Sequence, residues 1–110
     1  MAPEIDLNAF AAAHQDGAFV VDVREPREYV DGHVPGARLI PLAQVLARRG
    51  ELPTGETVFV ICASGNRSKS ATDWLRGAGV EAVSVSGGTS GWTAAGRPVV
   101  RGPHANQAAA

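Results

Sequence analysis

Val58-Phe-Val-Ile-Cys62-Ala-Ser-Gly-Asn-Arg67-Ser-Lys-Ser70 is the stretch on which the fold of this chain turns. An apolar run, Val58 to Ile61, delivers the only cysteine of the 110 residues. Four residues separate Cys62 from Arg67, and helical spacing begins soon afterwards. Strand, short polar loop and helix start form an anion-binding geometry. The first turn of a helix leaves backbone N–H groups unpaired and carries partial positive charge. A thiol at the base of such a loop ionises more readily than a free cysteine, whose pKa is about 8.5. The stretch therefore points to an enzyme that uses Cys62 as a thiolate.

The rest of the chain supplies a frame for that loop. Asp6 is placed to cap a short helix carrying Leu7, Phe10 and Ala11, ended near Gly17. Ala18-Phe19-Val20-Val21, running into Asp22, suits a buried parallel strand. Pro26 starts a short helix that stops at Gly32, and Leu39-Ile40 forms a second strand. Leu42, Val45, Leu46 and Arg49 predict a helix ended by Gly50. A strand over 57–61 leads into the cysteine loop. Ser68 or Ser70 caps the next helix, whose apolar face is read as Ala71, Trp74, Leu75 and Ala78. Ala82 to Val85 is another strand, and Gly87-Gly88 turns into a short helix with Trp92. Alternating strands and helices imply a parallel sheet covered on both faces. In such sheets the site lies beyond the carboxyl ends of the strands, where both Asp22-Val-Arg24 and Cys62 fall. Residues from 101 onward are polar or Ala-rich and are expected to fray.

Composition narrows the class. The length fits one domain. A formal net charge of −1 gives no support for nucleic acid or an anionic membrane as partner. No apolar run approaches the ~20 residues of a membrane span, and the first residues lack the basic and apolar regions of a signal peptide. A single cysteine makes no internal disulfide, which favours the cytoplasm. His14 and His104 show no ligand partner and no cluster has metal spacing, so neither metal nor cofactor is expected.

Four separated motifs resemble the single-domain rhodaneses, the thiosulfate sulfurtransferase family. They are Asp22-Val-Arg-Glu25 with Glu28-Tyr29; Gly32-His-Val-Pro-Gly-Ala37 leading to Ile40-Pro41; Cys62 to Ser68; and Gly87-Gly88 with Trp92. The likeness runs over about 5–98 and leaves 99–110 as a tail expected to be flexible. It implies an α/β fold with a five-stranded, mainly parallel sheet flanked by helices on both faces. It also implies a ping-pong reaction without cofactor. The thiolate takes the outer sulfur of a small anionic donor such as thiosulfate, releases sulfite and holds a persulfide. The persulfide then passes to cyanide or to an external thiol or protein acceptor.

Loop length separates two chemistries. Protein tyrosine phosphatases and Cdc25-like phosphatases or arsenate reductases use a related loop with five residues between cysteine and arginine. The six-residue cradle from Cys62 to Arg67 suits a sulfur atom, so sulfur transfer is favoured over phosphatase or arsenate-reductase chemistry. In this reading Cys62 is the nucleophile, and backbone N–H groups of Ala63, Ser64, Gly65, Asn66, Arg67 and Ser68 face its sulfur. Gly65 permits a positive φ, Ser64 can add a hydroxyl, and Asn66 holds the loop's own backbone. Arg67 either recognises the anionic donor or pairs with a neighbouring acid. Asp22 fixes the cradle by accepting loop N–H groups or pairing with an arginine. Arg24 either pairs with Glu28 or lies at the pocket rim. His33 orders the Gly-His-Val-Pro-Gly turn by hydrogen bonding, and Trp74 and Trp92 are packing residues. The alternative function is a rhodanese-fold binding or sulfur-relay module without turnover.

Overall fold

The structure, a computed structural model, describes residues 2–106. Its five strands, β1 (Glu4–Ile5), β2 (Phe19–Asp22), β3 (Arg38–Leu39), β4 (Val58–Ile61) and β5 (Ala82–Val85), form one sheet in the order β1-β5-β4-β2-β3. Every pairing is parallel. The most central strand is the apolar run before Cys62, and all four of its residues are buried. This is why β4 reads as continuous apolar sequence where a half-buried strand would alternate. Strand β1 is two residues long, and nothing in its sequence marks it. It forms because Glu4 and Ile5 come to lie beside Ser84 and Val85 at the sheet edge.

Helices α1 (Leu7–Gln15), α2 (Pro26–Asp31), α3 (Leu42–Val45), α4 (Asn66–Gly77) and α5 (Gly88–Ala94) connect the strands. Asp6 caps α1 by accepting from the Ala9 N–H at 2.8 Å. Pro26 begins α2, where its missing N–H costs nothing. Side chains alternate across β4. Val58, Val60 and Cys62 join Val45, Ala71 and Leu75 under α3 and α4. Phe59 and Ile61 join Phe10, Ala11 and Trp92 under α1 and α5. The sheet is thus covered on both faces, and Cys62 leaves it on the α4 side. Trp92 sits edge-on to Phe10 at 5.5 Å and donates its indole N–H to Pro98 O at 2.7 Å.

Four expectations change. Helix α3 stops at Val45 and the chain tightens into a 3-10 turn over Arg49–Glu51. Only Val45 of that stripe is fully buried, while Leu46 is exposed, so little packing energy extends the helix. Helix α4 starts at Asn66, capped by Gly65, so neither Ser68 nor Ser70 is its cap. Its buried face is Ser68, Ala71, Thr72 and Leu75, and Trp74 is 46% exposed. The face is turned by part of a helical turn because Ser68 and Thr72 are drawn under the helix. Finally, the segment after Pro98, expected to be flexible, returns to the α2–β3 turn. Val100 and His33 exchange backbone bonds at 2.9 Å, and Gly36 N–H donates to Ala105 O at 2.8 Å. The His33 ring, stacked on Tyr29, places its nitrogens 2.8 Å from Tyr29 O and 2.8 Å from His104 O. Backbone bonds do this work, and polar composition does not reveal them. The remainder of the expected tail, 107–110, lies outside the described residues.

Candidate active site

Cys62 is the first residue past β4 and is 1% exposed. Gly65 folds the loop back over it at φ +113, a left-handed conformation for which glycine is favoured. As a result the Gly65 N–H donates to Cys62 Sγ at 3.1 Å. One helical turn on, Ser68 is buried beneath α4, with Oγ 3.4 Å from Sγ, 3.1 Å from Gly65 O and 2.8 Å from Ser84 Oγ. Burial pushes the thiol pKa up. The Ser68 hydroxyl and the backbone N–H groups of Ser68, Gly65 and Ser64 outweigh it, and the thiol ends below its ordinary value.

Among the loop amides, those of Ser68, Gly65 and Ser64 favour the thiolate most. The Ser64 and Asn66 side chains are exposed and make no hydrogen bond among the described residues. Ala63, half-buried, gives its carbonyl to the Ser90 N–H at 2.9 Å, and the Thr89 N–H reaches Cys62 O at 2.9 Å. This joins α5 to the loop, and Gly88 makes the approach possible. A Cβ there would stand 2.6 Å from both the Cys62 and Ala63 carbonyl oxygens, and φ is +58. The Gly87-Gly88 pair thus serves close backbone contact as well as the turn.

Arg67 pairs with a neighbouring acid in this structure. Its guanidinium is held by the Glu28 carboxylate at 2.7 and 2.9 Å, tying α4 to α2. This bond holds the Glu28 carboxyl at about 2, against its ordinary 4.5. Arg67 in turn is raised, first by the Glu28 bond and, among weaker influences, by the charge on Cys62.

Asp22 and Arg24 form a buried pair. Arg24 Nε lies 3.0 Å from Asp22 Oδ1, and its Nη2 lies 2.8 Å from Oδ2 and 2.9 Å from Gly32 O. All the hydrogen bonds that Asp22's carboxylate makes among the described residues go to Arg24. It therefore supports the α2 turn, not the cysteine loop, and Arg24 does not take Glu28. The physical cause is reach: a two-residue spacing past the strand lets Arg24 fold back onto Asp22. Arg24, Glu28, Thr89, Ser90, Val99 and Arg101 help to line a hollow of about 440 Å3 beside the loop.

Two residues of this site were not assigned their roles from sequence. Glu28 is named from sequence as a partner for Arg24, not for Arg67; it also accepts the Glu25 N–H at 3.0 Å. Ser84 is marked only as a hydroxyl inside an otherwise apolar strand, Ala82-Val-Ser-Val85.

A thiol of lowered pKa, buried where a central parallel strand meets a helix start, defines an α/β domain with a cradled cysteine. The family model of the rhodanese-like domain matches residues 6–95, and the chain belongs to that family. It is 32% identical to a sulfurtransferase of Allochromatium vinosum, over 91% of this chain and 96% of that one. It is 37% identical to a putative sulfur carrier protein of Bacillus subtilis, over 83% of this chain and 51% of the relative. A crystal structure of a rhodanese-related protein from Thermoplasma volcanium superposes with a TM-score of 0.83 at 33% identity, covering 89% of this chain and 97% of that one. The chain spans 49%, 51% and 60% of the length of three curated relatives it matches. Among the described residues no helix is long and apolar enough to cross a membrane.

Proposed function

We propose that this chain is a sulfurtransferase that carries sulfane sulfur as a persulfide on Cys62. The observation that carries the proposal is the Cys62 sulfur seated against the Gly65 N–H and Ser68 Oγ, with its pKa lowered. The thiolate attacks the outer sulfur of a donor such as thiosulfate. A Cys62–sulfur bond forms, the donor's S–S bond breaks, and sulfite leaves with the bonding pair. The new S–S bond, about 2 Å long, carries the anionic outer sulfur outward from a nucleophile that is itself 1% exposed. A second nucleophile, cyanide or a thiolate, takes the outer sulfur and Cys62 departs as thiolate. With no other cysteine in the chain to resolve the persulfide as a disulfide, the acceptor comes from outside. A lone carrier thiol of this kind suits a reducing compartment such as the cytoplasm. The four-residue spacing between Cys62 and Arg67 favours sulfur over phosphate or arsenate.

Incubation with thiosulfate followed by intact mass is the test. A gain of one sulfur, removed by cyanide and absent in Cys62→Ser, is expected; a folded protein that gains nothing refutes the proposal. A second reading, a relay or binding module without efficient turnover, draws support from the relative named a putative sulfur carrier. It predicts persulfide formation from thiosulfate with slow release to cyanide and fast release to one protein acceptor.

A further inference from the structure

Ser68 Oγ has three neighbours, Cys62 Sγ, Gly65 O and Ser84 Oγ, at 3.4, 3.1 and 2.8 Å. A hydroxyl has one proton to give and two lone pairs. Gly65 O only accepts. Ser84 is fully buried on the same α4-covered side of the sheet, and its hydroxyl has Ser68 Oγ as its one hydrogen-bond partner among the described residues. Among the described residues no other acceptor reaches the buried Ser84 hydroxyl, so its proton points at Ser68 Oγ.

The consequence differs between the two states of the sulfur. While Cys62 is a thiol, its S–H donates to Ser68 Oγ and the Ser68 proton goes to Gly65 O, so every group is satisfied. Once the sulfur is anionic it can only accept. The Ser68 proton must then turn to Sγ, and it is free to do so because Ser84 supplies the proton on the other side. Were Ser68 to donate to Ser84 instead, the thiolate would face an oxygen lone pair at 3.4 Å.

We propose that Ser84 is a positioning residue of the sulfur chemistry: by donating to Ser68 Oγ it commits the single Ser68 proton to the Cys62 anion. This rests on the reading of Cys62 as the reacting thiolate. Ser84 touches neither sulfur nor substrate and acts through Ser68. The chain of two hydroxyls also polarises the terminal donor, since linked hydrogen bonds strengthen one another in a site closed to water. The same anion is the nucleophile in sulfur uptake and the leaving group in sulfur release. Losing the relay therefore shifts the balance toward the persulfide.

The test is the pH dependence of Cys62 alkylation by iodoacetamide, followed by mass, which needs no sulfur donor. Ser84→Ala is expected to raise the midpoint by about 0.5–1 unit. Ser84→Thr, which keeps the hydroxyl, is expected to restore it. In a Ser68→Ala background, Ser84→Ala is expected to change nothing further. A folded Ser84→Ala whose midpoint equals that of the unmodified protein overturns the proposal, whatever its melting temperature, as does an equal shift with and without Ser68. If Ser84→Ala does not fold, Ser84→Gly, which likewise removes the hydroxyl, is read against the same two outcomes. Thiosulfate loading of the unmodified protein is measured separately. Its failure refutes the sulfur-transfer reading, and an unmoved midpoint refutes the role of Ser84 alone.

Discussion

Replacing Gly88 by alanine isolates what the close contact between α5 and the cysteine loop contributes. The new Cβ would lie 2.6 Å from the Cys62 and Ala63 carbonyl oxygens, at a φ of +58. Ordinary non-bonded contacts sit near 3.5 Å, so the two segments must part by about 1 Å. Alanine in the left-handed region costs about 1–2 kcal/mol. Separation also weakens the two bonds from Thr89 and Ser90 N–H to those carbonyls, each worth about 1 kcal/mol. The total is about 3–4 kcal/mol, a large share of the 5–15 kcal/mol typical of a domain. Gly17→Ala is the control: φ is +87 and nothing lies within 4 Å of the added carbon, so only the backbone cost of about 1–2 kcal/mol applies. Urea unfolding of the three proteins, followed by fluorescence, gives both differences. Gly88→Ala is also expected to raise the Cys62 alkylation midpoint, because Cys62 itself is displaced. Equal losses of stability in the two variants, with an unmoved midpoint, would refute the close-approach argument.

Three further outcomes are expected. Asp22→Asn leaves the Arg24 guanidinium, 6% exposed, without its anion and costs about 3–5 kcal/mol in urea unfolding; a loss below about 1 kcal/mol would show that the pair is not the anchor of the α2 turn. The Glu28 carboxyl sits at about 2 when folded and ordinarily at 4.5. The folded state therefore binds fewer protons than the unfolded one between these values. The Arg67 pair's stabilisation is full above pH 4.5 and is lost as pH falls through about 2. Both side chains are about one-third exposed, which screens the effect to about 1 kcal/mol; Glu28→Gln should remove that share of the acid dependence, and an unchanged acid limb counts against the pair. A chain ended at Pro98 loses the Val100–His33 bonds and is expected to be less stable by about 2 kcal/mol, with amide exchange at His33 and Gly36 as the readout; unchanged protection there would mean the segment contributes nothing.

Most of the frame was legible because its signals are local. Asp6, Pro26 and Gly32 punctuate helices through their own backbone preferences, and the buried run Val58 to Ile61 needs no partner to be recognised as a central strand. The Cys62 loop was legible for the same reason, since its spacing lies within one stretch. Strand β1 was not, because two residues acquire strand geometry only from the edge of β5. Trp74 was misplaced because helical periodicity alone leaves the angle of the buried arc open, and that angle was set by Ser68 and Thr72 turning inward.

The sequence by itself determined the order of the main elements from α1 onward, the position of Cys62 at the carboxyl end of the central strand, and the turn chemistry of Gly65 and Gly87-Gly88. Only the tertiary structure decided that Arg67 belongs to Glu28, that Asp22 belongs to Arg24, and that Ser84 stands behind Ser68. The reason is physical. Turn and strand preferences are properties of neighbouring peptide units, whereas a proton or a charge chooses among all the acceptors within a few ångströms. Those acceptors are 39 residues apart for the Arg67 pair and 16 for the two serines.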